Sequence, residues 1–318
     1  MIDKFMIQLM NLKTSSPHTE RAYRFELEAL FRHVLQTPTS APPQFDTDFS
    51  PEQGDRVLLN WALGHLRSTG GTLKAASKNR RAAVIKSFFT HLYETRQTTQ
   101  NLSLLIPTPK VPRLLPSFLG VDEAIAVLKA LECESRKSQA TDPQGNSSTA
   151  VSVSHSHYLL FLLLYTCGLR VSEACDLTWS RVEFSVGQLR VRGKGQKERL
   201  VPLLALTNAG LEEQRRLQTS AYGPRESIWG ESKLHTRVAY DWIRRSGVIA
   251  GLHKRLHPHA LRHSYATHLL QGGMNLRYLQ TLLGHESLTA TEKYTHLSLE
   301  DLRKQLSERH PLKKMDVG

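Results

Sequence analysis

Residues 257–270 carry side chains that could bind and act on a phosphate group. The stretch is HPHALRHSYATHLL, and in a helix His259, Arg262 and His263 would share one face within a single turn. No carboxylate lies in the stretch to balance them. Arginine matches two phosphate oxygens with its planar guanidinium, and imidazole can bind or pass a proton. The pattern therefore predicts a phosphodiester opposite this face.

The same spacing does not favour a metal centre. His259 and His263 are separated as in a zinc-binding helix, but Ala260 stands where the metalloprotease pattern requires Glu. Arg262 would also oppose a bound dication. The stretch GQLRVRGKG differs from a phosphate-binding loop, because its glycine spacing is too long and a glycine replaces the Ser or Thr that would hold magnesium. We expect neither a metal nor another cofactor.

Other residues elsewhere in the chain could complete a phosphoryl-transfer site. Arg170 follows an apolar run in TCGLRVSEACDLTW, and Glu173 lies one turn further on, where it could orient that arginine. Lys194 stands at the tip of a predicted hairpin, and His285 precedes Tyr294 by nine residues. Tyrosine attacks at neutral pH only with a base or a cationic pocket, since the pKa of a phenol is about 10.

Simpler roles remain open for several of these residues. Tyr294 by itself could be a packed tyrosine at a helix end, and Glu173 is expected to be an ion-pair partner without a chemical step. His263 is expected to support the site structurally. The remaining histidines considered are expected at the surface or in helix caps: His257, His268 and His296.

The charge balance indicates a polyanionic partner. The 318 residues include 42 Lys and Arg against 29 Asp and Glu, a net charge of +13. Such an excess favours nucleic acid or an acidic membrane surface. No acidic residue lies between Asp55 and Glu94, and Asp241 alone lies between Lys233 and His285. Two basic surfaces fit a protein that grips a duplex from two sides, and we expect cations of 56–86 to touch phosphates.

Hydrophobic periodicity predicts the elements that position these residues. Three amphipathic helices occupy the first part of the chain, the third with a stripe of Val84, Phe88 and Leu92. Four prolines in 106–116 indicate an extended linker. The polar stretch 134–156 is predicted to be a long exposed loop, and the apolar run 158–169 a buried helix.

Alternating residues in 181–203 predict a three-stranded meander. We therefore predict a mainly α protein with a helical domain at 1–105, a linker at 106–116 and an α+β domain at 117–318 that holds a small three-stranded antiparallel sheet. The chain has an odd number of cysteines: Cys133, Cys167 and Cys175. Together with the lack of a visible signal peptide, this predicts reduced thiols in the cytoplasm.

The ordered set of motifs resembles the tyrosine recombinases, the phage integrase family. It comprises GLRVSE, GKGQKERLVPL, HPHALRHSYATHLL, LLGH and YTH, and within the family it resembles the Xer-type enzymes, with XerC favoured over XerD. The SPHTERAY and SKNRRAAVIKSFF helices are similar to the family's core-binding domain, a DNA clamp. Residues 117 to about 310 are similar to its catalytic domain.

The resemblance implies a role for each matching residue. Tyr294 would attack the scissile phosphate and join to the 3′ end. Arg170 and Arg262 would hold the non-bridging oxygens, and Lys194 would protonate the leaving 5′ oxygen. His259 would assist proton transfer, and His285 would donate a hydrogen bond to the phosphate.

The resemblance also implies partners. These are a double-stranded DNA recombination site, a second Xer-type recombinase (XerD-like) or a second copy of this chain, a tetramer on two DNA sites, and a septal DNA translocase. The implied role is to resolve chromosome dimers at cell division. The C-terminal helix, with Leu299, Leu302 and Leu306 on one side, would dock into a neighbouring subunit, whereas in a monomer it could pack on its own domain.

Three alternatives share parts of this pattern. A phage or integron integrase differs in its DNA sites, and a type IB topoisomerase-like relaxase would act without exchanging partner strands. A non-catalytic DNA-binding regulator would bind DNA without forming a covalent adduct.

Overall fold

The structure, a computed structural model, describes residues 3–7, 17–36, 51–68, 73, 75–108, 118–140, 148–193, 198–222, 225–284 and 298–314. They belong to two compact units, Met1–Leu115 and Pro116–Gly318. The predicted fold class, mainly helical with one small antiparallel sheet, is confirmed. Within the described ranges, no helix is both long enough and apolar enough to cross a membrane.

The first unit is built around helices α1 (Pro17–Gln36), α2 (Pro51–Ser68) and α3 (Ala75–Glu94), followed by a 3-10 turn at Leu102–Leu105. The predicted stripe of Val84, Phe88 and Leu92 on α3 is buried in the core of this unit. Phe5 meets Phe88 edge to face, with 5.4 Å between ring centroids. Burial of this apolar face holds the amphipathic helices together.

A buried ion pair joins α1 to α3. Glu26 accepts a hydrogen bond from Arg81 Nε at 2.7 Å, and the exposed Arg80 lies 3.5 Å from the same carboxylate. The expectation that cations of 56–86 contact phosphates is therefore wrong for Arg81. Its guanidinium is buried with Glu26, because a buried charge is tolerated when it is paired and hydrogen-bonded.

The second unit contains eight helices among its described residues. They are α4 (Val121–Ala140), α5 (Ser148–Thr166), α6 (Val171–Cys175), α7 (Ala205–Tyr222), α8 (Thr236–Ile249), α9 (Pro258–Gln271), α10 (Leu276–Leu283) and α11 (Leu299–Arg309). The predicted buried helix is α5, whose residues from Tyr158 to Thr166 are all buried. It packs against α4, α7, α8 and α9, which explains why its sequence is apolar on every side.

The predicted meander is present as strands β1 (Val182–Glu183), β2 (Gln188–Arg192) and β3 (Glu198–Pro202), in the order β1-β2-β3. Both pairings are antiparallel. Leu189 lies opposite Val201, and both are buried, whereas Arg190 lies opposite Leu200 on the exposed face. This alternation is the period-two pattern of a sheet with one face on the core.

The predicted long loop at 134–156 is largely helical. Helix α4 continues to Ala140 and α5 begins at Ser148, and only 141–147 lies outside the described residues. Ser135 Oγ lies 3.3 Å from His155 Nδ1, and the hydroxyls of Ser138 and Ser154 are 3.0 Å apart. The loop was predicted because the stretch is polar and lacks apolar periodicity, and the two helices contact each other through these polar groups instead.

The C-terminal helix α11 packs on its own unit, against β3 and α10, with Leu302 and Leu306 buried. After it, His310 is fully buried between the rings of Tyr165 and Tyr265. Its Nε2 lies 3.3 Å from the Tyr165 carbonyl, and its Nδ1 accepts from the backbone N–H of Leu312 at 3.1 Å. This geometry fits a neutral imidazole with the proton on Nε2.

Candidate active site

A sharp turn between α5 and α6 presents Arg170. Gly168 has a φ of +59°, and a Cβ there would lie 2.5 Å from ring atoms of Tyr265. Only glycine meets both conditions. Arg170 then forms the N-cap of α6, and its backbone N–H donates to Glu173 Oε2 at 2.8 Å. The side chain of Arg170 remains more than one-third exposed.

Glu173 accepts hydrogen bonds from arginines in separate parts of the unit. Its Oε1 accepts from Arg170 Nη1 at 2.8 Å, and both its oxygens accept from the fork of Arg199 at 2.8 and 2.9 Å. Burial by itself raises the pKa of Glu173, but the hydrogen bonds and charge of Arg199, with the bonds from Arg170, outweigh it and hold that pKa below its usual value. Glu173 is therefore a charged anchor, in line with its predicted ion-pair role.

Arg262 approaches the same carboxylate from α9. Its Nη1 lies 3.9 Å from Glu173 Oε2 and also donates to the carbonyl of Gly168, while its Nη2 donates to the carbonyl of Leu283 at 2.7 Å. Burial, together with the charges of Arg170 and Arg199, lowers the pKa of Arg262 to about 10. The guanidinium thus stays positive near neutral pH. The structure brings Arg170 and Arg262 together on one carboxylate.

The histidines of α9 differ in their surroundings. His257 caps the helix by accepting from the Ala260 N–H at 3.1 Å, as predicted, and burial lowers its pKa. His259 is exposed in the first turn of α9. His263 is exposed, with its ring 6.2 Å from that of Phe118. The prediction that His268 lies at the surface or in a cap is wrong, because this side chain is buried and its Nδ1 lies 2.9 Å from the hydroxyl of Tyr165.

Three predicted site residues, Lys194, His285 and Tyr294, lie outside the described residues, as does His296. Lys194 belongs to the connection between β2 and β3. His285 follows Gly284, which ends α10 with a φ of +64°. The structure describes where β2, β3 and α10 end or begin. The positions of the Lys194, His285 and Tyr294 side chains remain predictions.

Arg199 is the residue that sequence reasoning missed. It lies on β3 two residues before the buried Val201, and therefore on the core-facing side of the strand. A cation on that side of a strand needs a buried anion. The core-facing position of Arg199 was therefore the signal in the sequence that could have indicated its role. Glu173 is that anion, 26 residues earlier in the chain.

Comparisons with known proteins identify the family of this chain. Residues 144–300 match the model of the phage integrase family. A tyrosine recombinase XerC of Pelobacter propionicus is 33% identical over 98% of this chain and 95% of that protein. A tyrosine recombinase of Pseudothermotoga lettingae is 31% identical over 93% of each chain.

Two solved structures share the fold. A lambda integrase dimer bound to a COC′ core site has a TM-score of 0.61 at 18% identity, over 94% of this chain and 79% of that chain. XerH bound to its difH substrate has a TM-score of 0.61 at 20% identity, over 96% and 84%.

The chain belongs to the tyrosine recombinase family, the phage integrase family, as its motifs predicted. It is an enzyme of the class that cleaves DNA strands and rejoins them in site-specific recombination. Within the family it is similar over nearly its whole length to proteins named XerC from several bacteria.

Proposed function

We propose that this enzyme recombines DNA at one specific site through a 3′-phosphotyrosyl intermediate and thereby resolves chromosome dimers at cell division. The observation that carries the proposal is the convergence of Arg170 and Arg262 on Glu173. The similarity to XerC proteins supports the cellular role.

The proposed chemistry is a pair of transesterifications. The phenolic oxygen of Tyr294 bonds to phosphorus, the bond from phosphorus to the 5′ oxygen breaks, and Lys194 protonates that oxygen. His259 accepts or relays the proton of the phenol, and His285 donates to a non-bridging oxygen. The reverse attack by a 5′ hydroxyl reseals the strand, so no external energy source is needed.

The charge of the arginine cluster suits this reaction. Arg170, Arg199 and Arg262 with Glu173 make three positive groups and one negative group, a net charge of +2. A phosphodiester carries one negative charge and gains a second in the pentacoordinate transition state. Preorganised cations in a partly buried site stabilise the developing charge most strongly where it appears.

The proposed partners follow from the same role. Residues 1–105 would act as the DNA clamp, 106–116 as the linker and 117–318 as the catalytic domain. Exposed cations of the first unit, such as Arg56, Arg67 and Arg80, are suited to phosphate contacts. Four protomers, identical or paired with a XerD-like chain, would join two DNA sites in the cytoplasm, with a septal translocase as activator.

Recombination on a plasmid tests the function. DNA fragments that the purified protein binds would be cloned as two direct repeats in a supercoiled plasmid. We expect excision of the intervening segment, alone or with a XerD-like partner, and its loss in Tyr294→Phe. Relaxation of plasmids that lack the site would instead support a relaxase, and binding without strand cleavage would support a regulator.

The proposed assembly gives α11 a second role. In the described chain it covers its own unit, and we propose that it docks into a neighbour in the tetramer. Deleting 299–318 should abolish cooperative binding of two protomers to DNA. Because Leu302 and Leu306 are buried in their own unit, the deletion should also lower thermal stability. Unchanged cooperativity in a folded deletion variant would contradict the exchange.

A further inference from the structure

Arg199 connects three segments that carry predicted site residues. Its fork binds both oxygens of Glu173, and its Nε donates to the carbonyl of Leu282 at 2.9 Å. Glu173 holds Arg170, and Leu282 lies at the end of α10, three residues before His285. Arg199 itself lies on β3, directly after the connection that contains Lys194.

The packing around Arg199 leaves it little freedom. Its side chain is 11% exposed, and a Cβ at Gly284 would lie 3.0 Å from Arg199 Cδ. A planar guanidinium with a two-point bond to a carboxylate and a third bond to a carbonyl has one orientation. Arg199 is therefore a rigid connection, and all three of its guanidinium nitrogens donate to protein groups.

Arg199 also determines how much of Glu173's charge remains for the other two arginines. Arg262 Nη1 is 3.9 Å from Glu173, longer than a hydrogen bond, whereas both oxygens of Glu173 are taken by Arg199. Without Arg199, the buried carboxylate would attract Arg262 and draw Arg170 inward, because an uncompensated buried charge is costly. Both arginines would then neutralise Glu173 instead of a phosphate.

We propose that Arg199 is a positioning residue for strand cleavage. It neutralises Glu173 and so keeps Arg170 and Arg262 directed at the scissile phosphate, without touching DNA itself. The inference rests on the proposed roles of these two arginines.

The test measures covalent adduct formation on a nicked suicide substrate with Arg199→Gln and Arg199→Lys. We expect the rate constant for Arg199→Gln to fall about 10²–10³-fold, the range for loss of transition-state stabilisation. The Kd for DNA should change less than about threefold, since Arg199 does not contact phosphates. Arg199→Lys should recover part of the rate, because it restores the charge but not the fork.

A neutral scissile group separates positioning from general damage. With a methylphosphonate at the scissile position, the transition state carries one negative charge instead of two. The factor by which Arg199→Gln slows adduct formation relative to the wild type should therefore shrink at least about tenfold. A substrate with sulfur at the bridging 5′ position should leave that factor unchanged, because sulfur relieves only the need for a leaving-group proton. The same sulfur substrate should rescue Lys194→Ala.

Arg216→Gln is the matched control. Arg216 also forms a two-point pair with a glutamate, Glu213, with both distances 2.7 Å, but its side chain is mostly exposed. Its rate should equal that of the wild type on every substrate.

Three results would overturn the inference. The first is a wild-type rate constant for adduct formation in Arg199→Gln. The second is an equal loss of rate on the charged and the methylphosphonate substrates, and the third is recovery of the Arg199→Gln rate on the sulfur substrate. Should Arg199→Gln fail to fold, the same comparison in Arg199→Lys decides. Tyr294→Phe keeps the two proposals apart: an adduct that survives in it refutes the proposed nucleophile, whatever Arg199 does.

Discussion

Each unit of this enzyme contains a buried glutamate held by arginines, and the two clusters differ in the number of arginines. Glu26 in the first unit pairs with the buried Arg81 and the exposed Arg80, and it joins two helices. Glu173 in the second unit pairs with Arg199, whose side chain is 11% exposed, and with the more exposed Arg170. Its neighbourhood differs by the additional Arg262, 3.9 Å away.

Under the proposed mechanism, this difference separates a structural ion-pair cluster from a catalytic one. Glu26 and the buried Arg81 cancel each other's charge, and the additional charge of Arg80 lies on an exposed side chain, where solvent screens it. A carboxylate surrounded by three arginines leaves net positive charge, and Arg170 brings that charge to the surface. The comparison predicts that removing Glu26 changes stability alone, whereas removing Glu173 changes stability and catalysis together.

Glu173→Ala should have the largest effect. It leaves the largely enclosed Arg199 without its carboxylate, which should lower the free energy of unfolding by about 3–5 kcal/mol. It also releases Arg170, so cleavage by the remaining folded protein should fall about 10²-fold or more. Chemical denaturation and single-turnover cleavage measure the two effects, and intact cleavage in a folded variant would remove the distinction between the two glutamates.

Glu26→Ala is the counterpart in the first unit. It leaves Arg81 buried without its carboxylate, so the free energy of unfolding should again fall by about 3–5 kcal/mol. The rate constant for cleavage, measured at saturating DNA per folded molecule, should stay at the wild-type value. A lower rate constant would show that the first glutamate also acts on catalysis.

Gly168→Ala tests the turn that supports the second cluster. The new Cβ would meet the buried ring of Tyr265 at 2.5 Å and force a positive φ on alanine, at a cost of about 1–3 kcal/mol from the backbone strain. Because the Gly168 carbonyl accepts from Arg262, cleavage should fall as well. Thermal unfolding and cleavage rate would both be measured; a neutral result in both would mean that this turn does not constrain Arg262.

A buried histidine in each unit extends the comparison to pH. Burial lowers the pKa of His65 in the first unit and of His310 in the second to about 4. Both folded-state pKa values lie below the unfolded value of about 6.5, so the stabilisation is complete above pH 6.5 and is lost as the pH falls toward 4.

His310→Asn should flatten this pH dependence in the second unit only, by about 2 kcal/mol between pH 7 and pH 5. Hydrogen exchange read by mass spectrometry at pH 7 and pH 5 gives the stability of each unit separately. An unchanged pH dependence in the second unit would show that His310 does not titrate on unfolding.

Local patterns in the sequence predicted much of the fold. The apolar run of α5 and the alternation in β1–β3 are signals within one element, and they were correct. The i, i+3 spacing placed Arg262 beside His259 on α9, and the GLRVSE motif indicated Arg170. Periodicity does not report what lies opposite a side chain, so the convergence of both arginines on Glu173 needed the structure.

The errors and omissions share one physical cause, which is polar groups satisfied at long range. Arg199 was missed, Arg81 was expected on phosphates and His268 was expected at the surface or in a cap. Their partners are Glu173, Glu26 and Tyr165, which lie far away in the chain or were not weighed as partners. The stretch 134–156 looked like a loop because its interhelical contacts are made by serines and a histidine.

The most direct measurement of the central claim is the identity of the residue that becomes attached to DNA. A nicked suicide substrate carrying the bound site would be incubated with the enzyme in the presence of EDTA, and the adduct digested and sequenced by mass spectrometry. We predict a single 3′-phosphotyrosyl peptide that contains Tyr294, formed at an undiminished rate with the chelator. An adduct on another residue, or specific DNA binding that never yields an adduct, would contradict the account.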